Sequence, residues 1–252
     1  MADNESKLAF GGNVSKLYGD KELADFVIIC GERRWDVHRV ILTLHSDVLS
    51  KSCSGNFKEA RTKEIDLSED HLPEHVNALV EYMYTFTYVY VDTPNFNDTI
   101  AFHINMAILA DKYSIGGLHR LATSNFKQLS LDNATSLAIA AYSAYEAPVA
   151  TQEIRAIIAK AVVQRKGLLS HDDGKPLADA MEQNGSFALE VARALAGLTQ
   201  PVEQGRRVEP GVTKLCPDCG RGRLGFANGG SLAETCDGRG FGCRWDLWTL
   251  SQ

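Results

Sequence analysis

The chain has 252 residues, 44% of them hydrophobic and 23% charged, with a formal net charge of −6. This is a globular composition, long enough to bury a core without disulfides and suited to one large domain or two small ones. The negative balance argues against a nucleic-acid or anionic-membrane binder for the chain as a whole. The polar segment Met1–Lys7 does not resemble a signal peptide, and no stretch approaches the roughly 18 apolar residues of a membrane span, so the expected location is cytoplasm or nucleus. Thiols are reduced there, and the Asn-x-Ser/Thr triplets at Asn4, Asn13, Asn97, Asn133 and Asn184 carry no glycosylation meaning.

In chain order, residues 1–19 are expected to be a disordered N-terminal segment. Ala24–Cys30 is short, apolar and β-branched, which suits a buried strand. Gly31-Glu32 turns the chain, and Arg33–Val37 returns as a second strand. Arg39–Leu44 and Asp47–Cys53 read as short helices. Glu64–Leu67 alternates Ile65 and Leu67 with charges, as a half-buried strand does. Pro73 suits the first position of a helix, where its missing N–H costs nothing. Val76, Leu79, Val80 and Met83 lie on that helix's inner face. Asp98 is placed to cap the next helix, whose face is Ile100, Ile104, Ala107 and Ile108. Gly116-Gly117 breaks it before Leu118, Leu121, Ala122 and Phe126 begin another.

From Asp132 the pattern is all helix. One stripe is Leu137, Ala140, Ala141 and Ala144; a second is Ile154, Ile157, Ile158, Ala161 and Val162; a third is Phe187, Val191, Ala194, Leu195 and Leu198. His171–Pro176 is a polar break between the second and third. Tyr142 and Tyr145 share a helix, and packing is their default role. Pro201–Gly211, with two prolines, two glycines and four charges, reads as a linker.

Several residues of the first part stand in a telling order: Asp25 in ADFVII, His38 in WDVHRVIL, Ser46 in LTLHSDVL, then Phe57-Lys58-Glu59, Tyr82-Met83-Tyr84-Thr85 and Leu109-Ala110-Asp111-Lys112-Tyr113. This set resembles the BTB/POZ domain, in its fungal-type form. The resemblance implies an α+β fold, a small mixed sheet surrounded by helices, over residues 20–126. A helical extension over 127–200, a linker over 201–211 and a small zinc-ribbon-like tail over 212–252 follow. It also implies a protein-protein interaction adaptor, not an enzyme, that homodimerises or docks protein partners. Asp25 and His38 would be neighbours in a buried polar pair near the dimer interface; a hydrogen-bonded structural pair explains both without any ligand. Phe57 and Glu59 match the hydrophobic-x-Glu motif with which many such proteins recruit a cullin ubiquitin-ligase scaffold. An apolar anchor beside a carboxylate suits an interface hot spot. The plainer alternative is a Phe tucked under the domain and a solvated Glu.

Cys30 and Cys53 sit singly, whereas Cys216, Cys219, Cys236 and Cys243 crowd the tail. Cys216-Pro-Asp-Cys219-Gly220 has the spacing of a zinc knuckle, two thiolates gripping one tetrahedral ion. The second half, Cys236 to Cys243, has six residues between its cysteines where a regular ribbon has two. The expectation is a structural four-cysteine zinc site, without the open position that catalysis needs. Unpaired thiols are the alternative. The tail carries seven Arg/Lys against five Asp/Glu from Gly205 on, a weak footprint for nucleic acid, so a transcription-related, DNA-associated regulator is the alternative function. Gly220-Arg-Gly222-Arg-Leu-Gly225 fits G-x-G-x-x-G but lacks the strand-then-helix context, and no P-loop, G-x-S-x-G or H-E-x-x-H occurs.

Overall fold

The computed structural model describes residues 9, 11–90 and 96–198, together with the backbone of three short strands nearer the C-terminus. The chain divides into two compact units, Met1–Thr199 and Gln200–Gln252.

In the first unit, strand β1 (Phe26–Cys30) lies at the centre of a three-stranded sheet of order β2-β1-β3. Its alternation puts Phe26, Ile28 and Cys30 into the core and leaves Val27 and Ile29 half-buried. Strand β2 (Arg33–Val37) runs antiparallel to it, pairing Phe26 with Val37 and Cys30 with Arg33. Gly31 makes the connecting turn with a left-handed backbone (φ 57°), a conformation free of cost only without a side chain. Strand β3 (Glu64–Asp66) lies parallel on the other edge, with Ile28 opposite Ile65.

Helices surround this sheet. Three short ones fill the crossover from β2 to β3: α1 (Arg39–His45), α2 (Asp47–Ser54) and α3 (Lys58–Thr62). Helix α4 (Pro73–Thr85) starts on Pro73 and buries Val76, Leu79, Val80 and Met83, the face expected from their spacing. Helix α5 (Phe96–Lys112) is buried on more than one face, with Phe102, His103 and Met106 inside beside Ile100, Ile104 and Ala107. It begins at Phe96, which places Asp98 within the first turn instead of at the cap. Helix α6 (Gly116–Lys127) buries Leu118, Ala122 and Phe126. The break between α5 and α6 is made by Ser114, in the left-handed region at φ 56°, and Gly116-Gly117 belongs to the first turn of α6. Gly117 serves close packing: a Cβ there would collide with the Tyr82 hydroxyl of α4.

Residues 11–15 are helical, where disorder was expected of residues 1–19. The reason is a short apolar pair, since Val14 and Leu17 pack against the main core and Tyr18 lies 5.8 Å from the Tyr84 ring.

The later helices are α7 (Ala134–Tyr145), α8 (Gln152–Gln164), α9 (Lys175–Gln183) and α10 (Gly185–Leu195). Asn133 and Asn184, members of two of the Asn-x-Ser/Thr triplets, are helix N-caps: their carboxamide oxygens accept from the Ser136 and Phe187 N–H groups. Tyr145 is buried and donates its hydroxyl to Glu190, which also pairs with Arg155 at 2.9 Å. Tyr142 is 40% exposed. One continuous apolar cluster runs from Phe26 through Phe126 and Leu137 to Val191. The third stripe leaves it at its end, where Leu195 and Leu198 are exposed.

In the second unit, Thr213–Leu215 (β4) lies between Gly222–Leu224 (β5) and Thr249–Leu250 (β6) in an antiparallel sheet. Cys216, Cys219, Cys236 and Cys243, on which the expected zinc site rests, lie outside the described residues.

Candidate partner-docking site

The candidate site is the turn between α2 and α3. Helix α2 is anchored at its start by Ser46, whose buried hydroxyl accepts from the Leu49 N–H at 3.0 Å and donates to the Tyr113 carbonyl at 2.6 Å. Ser46 thus ties the helix to the end of α5. At the other end the Gly55 N–H closes onto the Lys51 carbonyl at 2.8 Å.

Phe57 follows in extended conformation and takes the N-cap position of α3 without a capping side chain. Phe57 is 58% exposed, an unusual position for a large apolar residue and one that rules out a Phe tucked under the domain. Glu59 is half-buried in the first turn of α3, two residues on. A carboxylate there is favoured by the free N–H groups of that turn. Lys63 ends α3 in the left-handed region (φ 60°) and passes directly into β3.

Asp25 and His38 do not pair with each other. Asp25 is exposed at the start of β1, and its carboxylate accepts from the Arg39 N–H at 2.8 Å. His38 is buried and bonded to Tyr84: the Tyr84 hydroxyl accepts from the His38 N–H at 3.0 Å and meets Nδ1 at 2.8 Å. Nε2 is buried without a hydrogen-bond partner among the described residues. The expected buried pair is therefore two separate anchors on the two sides of one residue boundary. Asp25 holds the first N–H of α1, and His38 holds α4.

Two apolar residues that sequence reasoning passed over also face solvent. Val40 and Leu44, one helical turn apart on α1, are 61% and 72% exposed, while Ile41 and Leu42 are buried. The signal was present as a run of apolar residues too dense for a single buried face. Among the described residues no cluster of three or more His, Cys, Asp or Glu is placed to hold a metal ion, and no helix is long and apolar enough to cross a membrane.

The central strand, the Ser46-anchored helix pair and the exposed aromatic turn occur in a segment that the BTB/POZ domain family matches over residues 14–130. Residues 14–130 are a BTB/POZ domain. The match begins ahead of β1, at the residue where Val14 packs onto the core. The chain is also similar to Kelch-like protein 5 of Homo sapiens, with 34% identity over 65 residues. That alignment covers 26% of this chain and 8% of the relative's length. The BTB domain is a protein-interaction module.

Proposed function

We propose that the chain is a non-enzymatic adaptor whose BTB domain homodimerises or docks partner proteins, and whose Phe57-Lys58-Glu59 turn recruits a cullin ubiquitin-ligase scaffold. The observation that carries the reading is the exposed Phe57 ring with Glu59 two residues on. A large aromatic in water gains by burial in a partner's pocket, and a nearby carboxylate adds orientation and choice of partner. The exposed Val40 and Leu44 supply a second apolar surface for a protein contact, whether a second copy or another chain. The BTB/POZ resemblance supports the cullin assignment through the hydrophobic-x-Glu motif. In this reading the helices after residue 130 and the tail hold the recruited protein.

The test is a pull-down of the full chain by immobilised cullin N-terminal domains. Phe57→Ala with Glu59→Ala should abolish retention. Because Phe57 is exposed, stability should change by no more than about 0.5 kcal/mol, as for other surface substitutions. Retention equal to that of the unsubstituted chain would remove the cullin role from this turn.

A further inference from the structure

The last turn of α2 leaves carbonyl groups that the helix itself cannot satisfy. The Lys51 carbonyl receives the Gly55 N–H. The Cys53 carbonyl receives the guanidinium of Arg39. A cation at this end of a helix also meets the negative pole of the helix dipole. Arg39 is itself fixed, because its own N–H is held by the Asp25 carboxylate at 2.8 Å. One residue therefore joins the start of β1, the start of α1 and the end of α2, two residues before the turn that bears Phe57.

Gly55 makes a second restraint. A Cβ at Gly55 would lie 2.6 Å from the Lys51 carbonyl oxygen and 3.0 Å from the nearest carbon of the Phe57 ring. Its φ of −81° is open to any residue, so close approach and not backbone conformation excludes a side chain. The Cδ2–Cε2 edge of the Phe57 ring is thus next to Gly55, and the residue as a whole stays 58% exposed.

We propose that Arg39 and Gly55 are positioning residues for the Phe57-Glu59 turn: Arg39 fixes the end of α2 by holding the Cys53 carbonyl, and Gly55 lets the Phe57 ring settle on the backbone, so the docking aromatic is presented already ordered. This rests on the reading of the turn as a docking site. Ordering the ring in the free protein removes a cost otherwise met on binding, so its loss weakens affinity.

The test uses the full chain with Gly55→Ala and, from a different element, Arg39→Met. Amide hydrogen exchange of residues 54–60 is followed in the free protein, and affinity for purified cullin N-terminal domains is measured in parallel. Both variants should speed exchange at 54–60 while the core strands keep their protection. Both should weaken binding by roughly tenfold, the scale of immobilising one or two side chains. In a Phe57→Ala background neither should cause further loss, since the ring they order is gone. Unchanged exchange at 54–60 in both variants overturns the proposal. So does faster exchange with full affinity, in which case loss of binding by Phe57→Ala would leave the docking reading standing. Full binding by Phe57→Ala itself overturns that reading, and the positioning role with it.

Discussion

Tyr84 does at one atom what several residues would otherwise share. Buried to 1% exposure near the end of α4, its hydroxyl receives the His38 N–H and faces His38 Nδ1, so it satisfies the backbone that leads into α1 and the ring that follows it. Burial also raises its pKa above the ordinary tyrosine value, which keeps the hydroxyl protonated and able to donate. Tyr84→Phe keeps the ring and removes the oxygen. Two buried polar groups of His38 then lose their partner, and each unsatisfied group costs about 1–3 kcal/mol. Urea denaturation followed by far-ultraviolet circular dichroism should show a lowered midpoint with an unchanged slope. An unshifted midpoint would mean that His38 finds other partners at no cost.

At the scale of elements, the approach of α6 to α4 depends on Gly117. Elsewhere in a helix, glycine is worse than alanine by about 0.5–1 kcal/mol. Here the added methyl would strike the hydroxyl of Tyr82, a buried ring edge-on to Phe86 and His45. Overpacking of this kind costs about 1–3 kcal/mol, so the clash outweighs the propensity gain. Gly117→Ala should lower the melting temperature, and Tyr82→Phe in the same chain should restore most of it. A Gly117→Ala protein more stable than its parent would show that α6 moves aside freely. Much of the element layout was legible in the sequence, because strands with period-two alternation and the Pro73 start carry local signals. Helix α9 was not: Lys175–Gln183 buries only Leu177 and Ala180, and the preceding His171–Pro176 run reads as a polar break although Pro176 is an initiation signal for a helix. The site was legible in part. Phe57 and Glu59 could be named from the motif, but exposure of the ring is a product of tertiary packing. The Asp25–His38 pairing failed because the partner of His38 is 46 residues away on another helix. Arg39 was hidden for the same reason, since its contact with Cys53 appears only once α1 and α2 are packed together.

At the scale of the whole molecule, the buried histidines set a direction of pH dependence. Burial holds His103 and His71 down to about 4, with Lys112 adding to the effect on His71 and the Asp70 carboxylate opposing it. His75 is also lowered by burial. A histidine with a lowered folded pKa binds fewer protons than its unfolded counterpart below the ordinary value of about 6.5. Stability should therefore hold above neutrality and fall as pH drops from about 6.5 toward 4. Asp70, bridged to Lys112 at 2.7 Å, has a lowered pKa and loses its contribution only at still lower pH. Melting temperatures across pH 4.5–7.5 check this, and a flat profile would contradict it.

The continuous apolar cluster from Phe26 to Val191 has a consequence for modularity. The segment that the BTB family matches ends at residue 130, yet the packing crosses that point without a seam: α7 lies on α5, α8 on α6, and His119 bonds the Ala150 carbonyl at 2.7 Å. The segment that the family matches and the continuously packed body are thus different objects. A truncation at the module's edge would strip a wall from the interior, so in this chain the interaction domain depends for its packing on the helices that follow it.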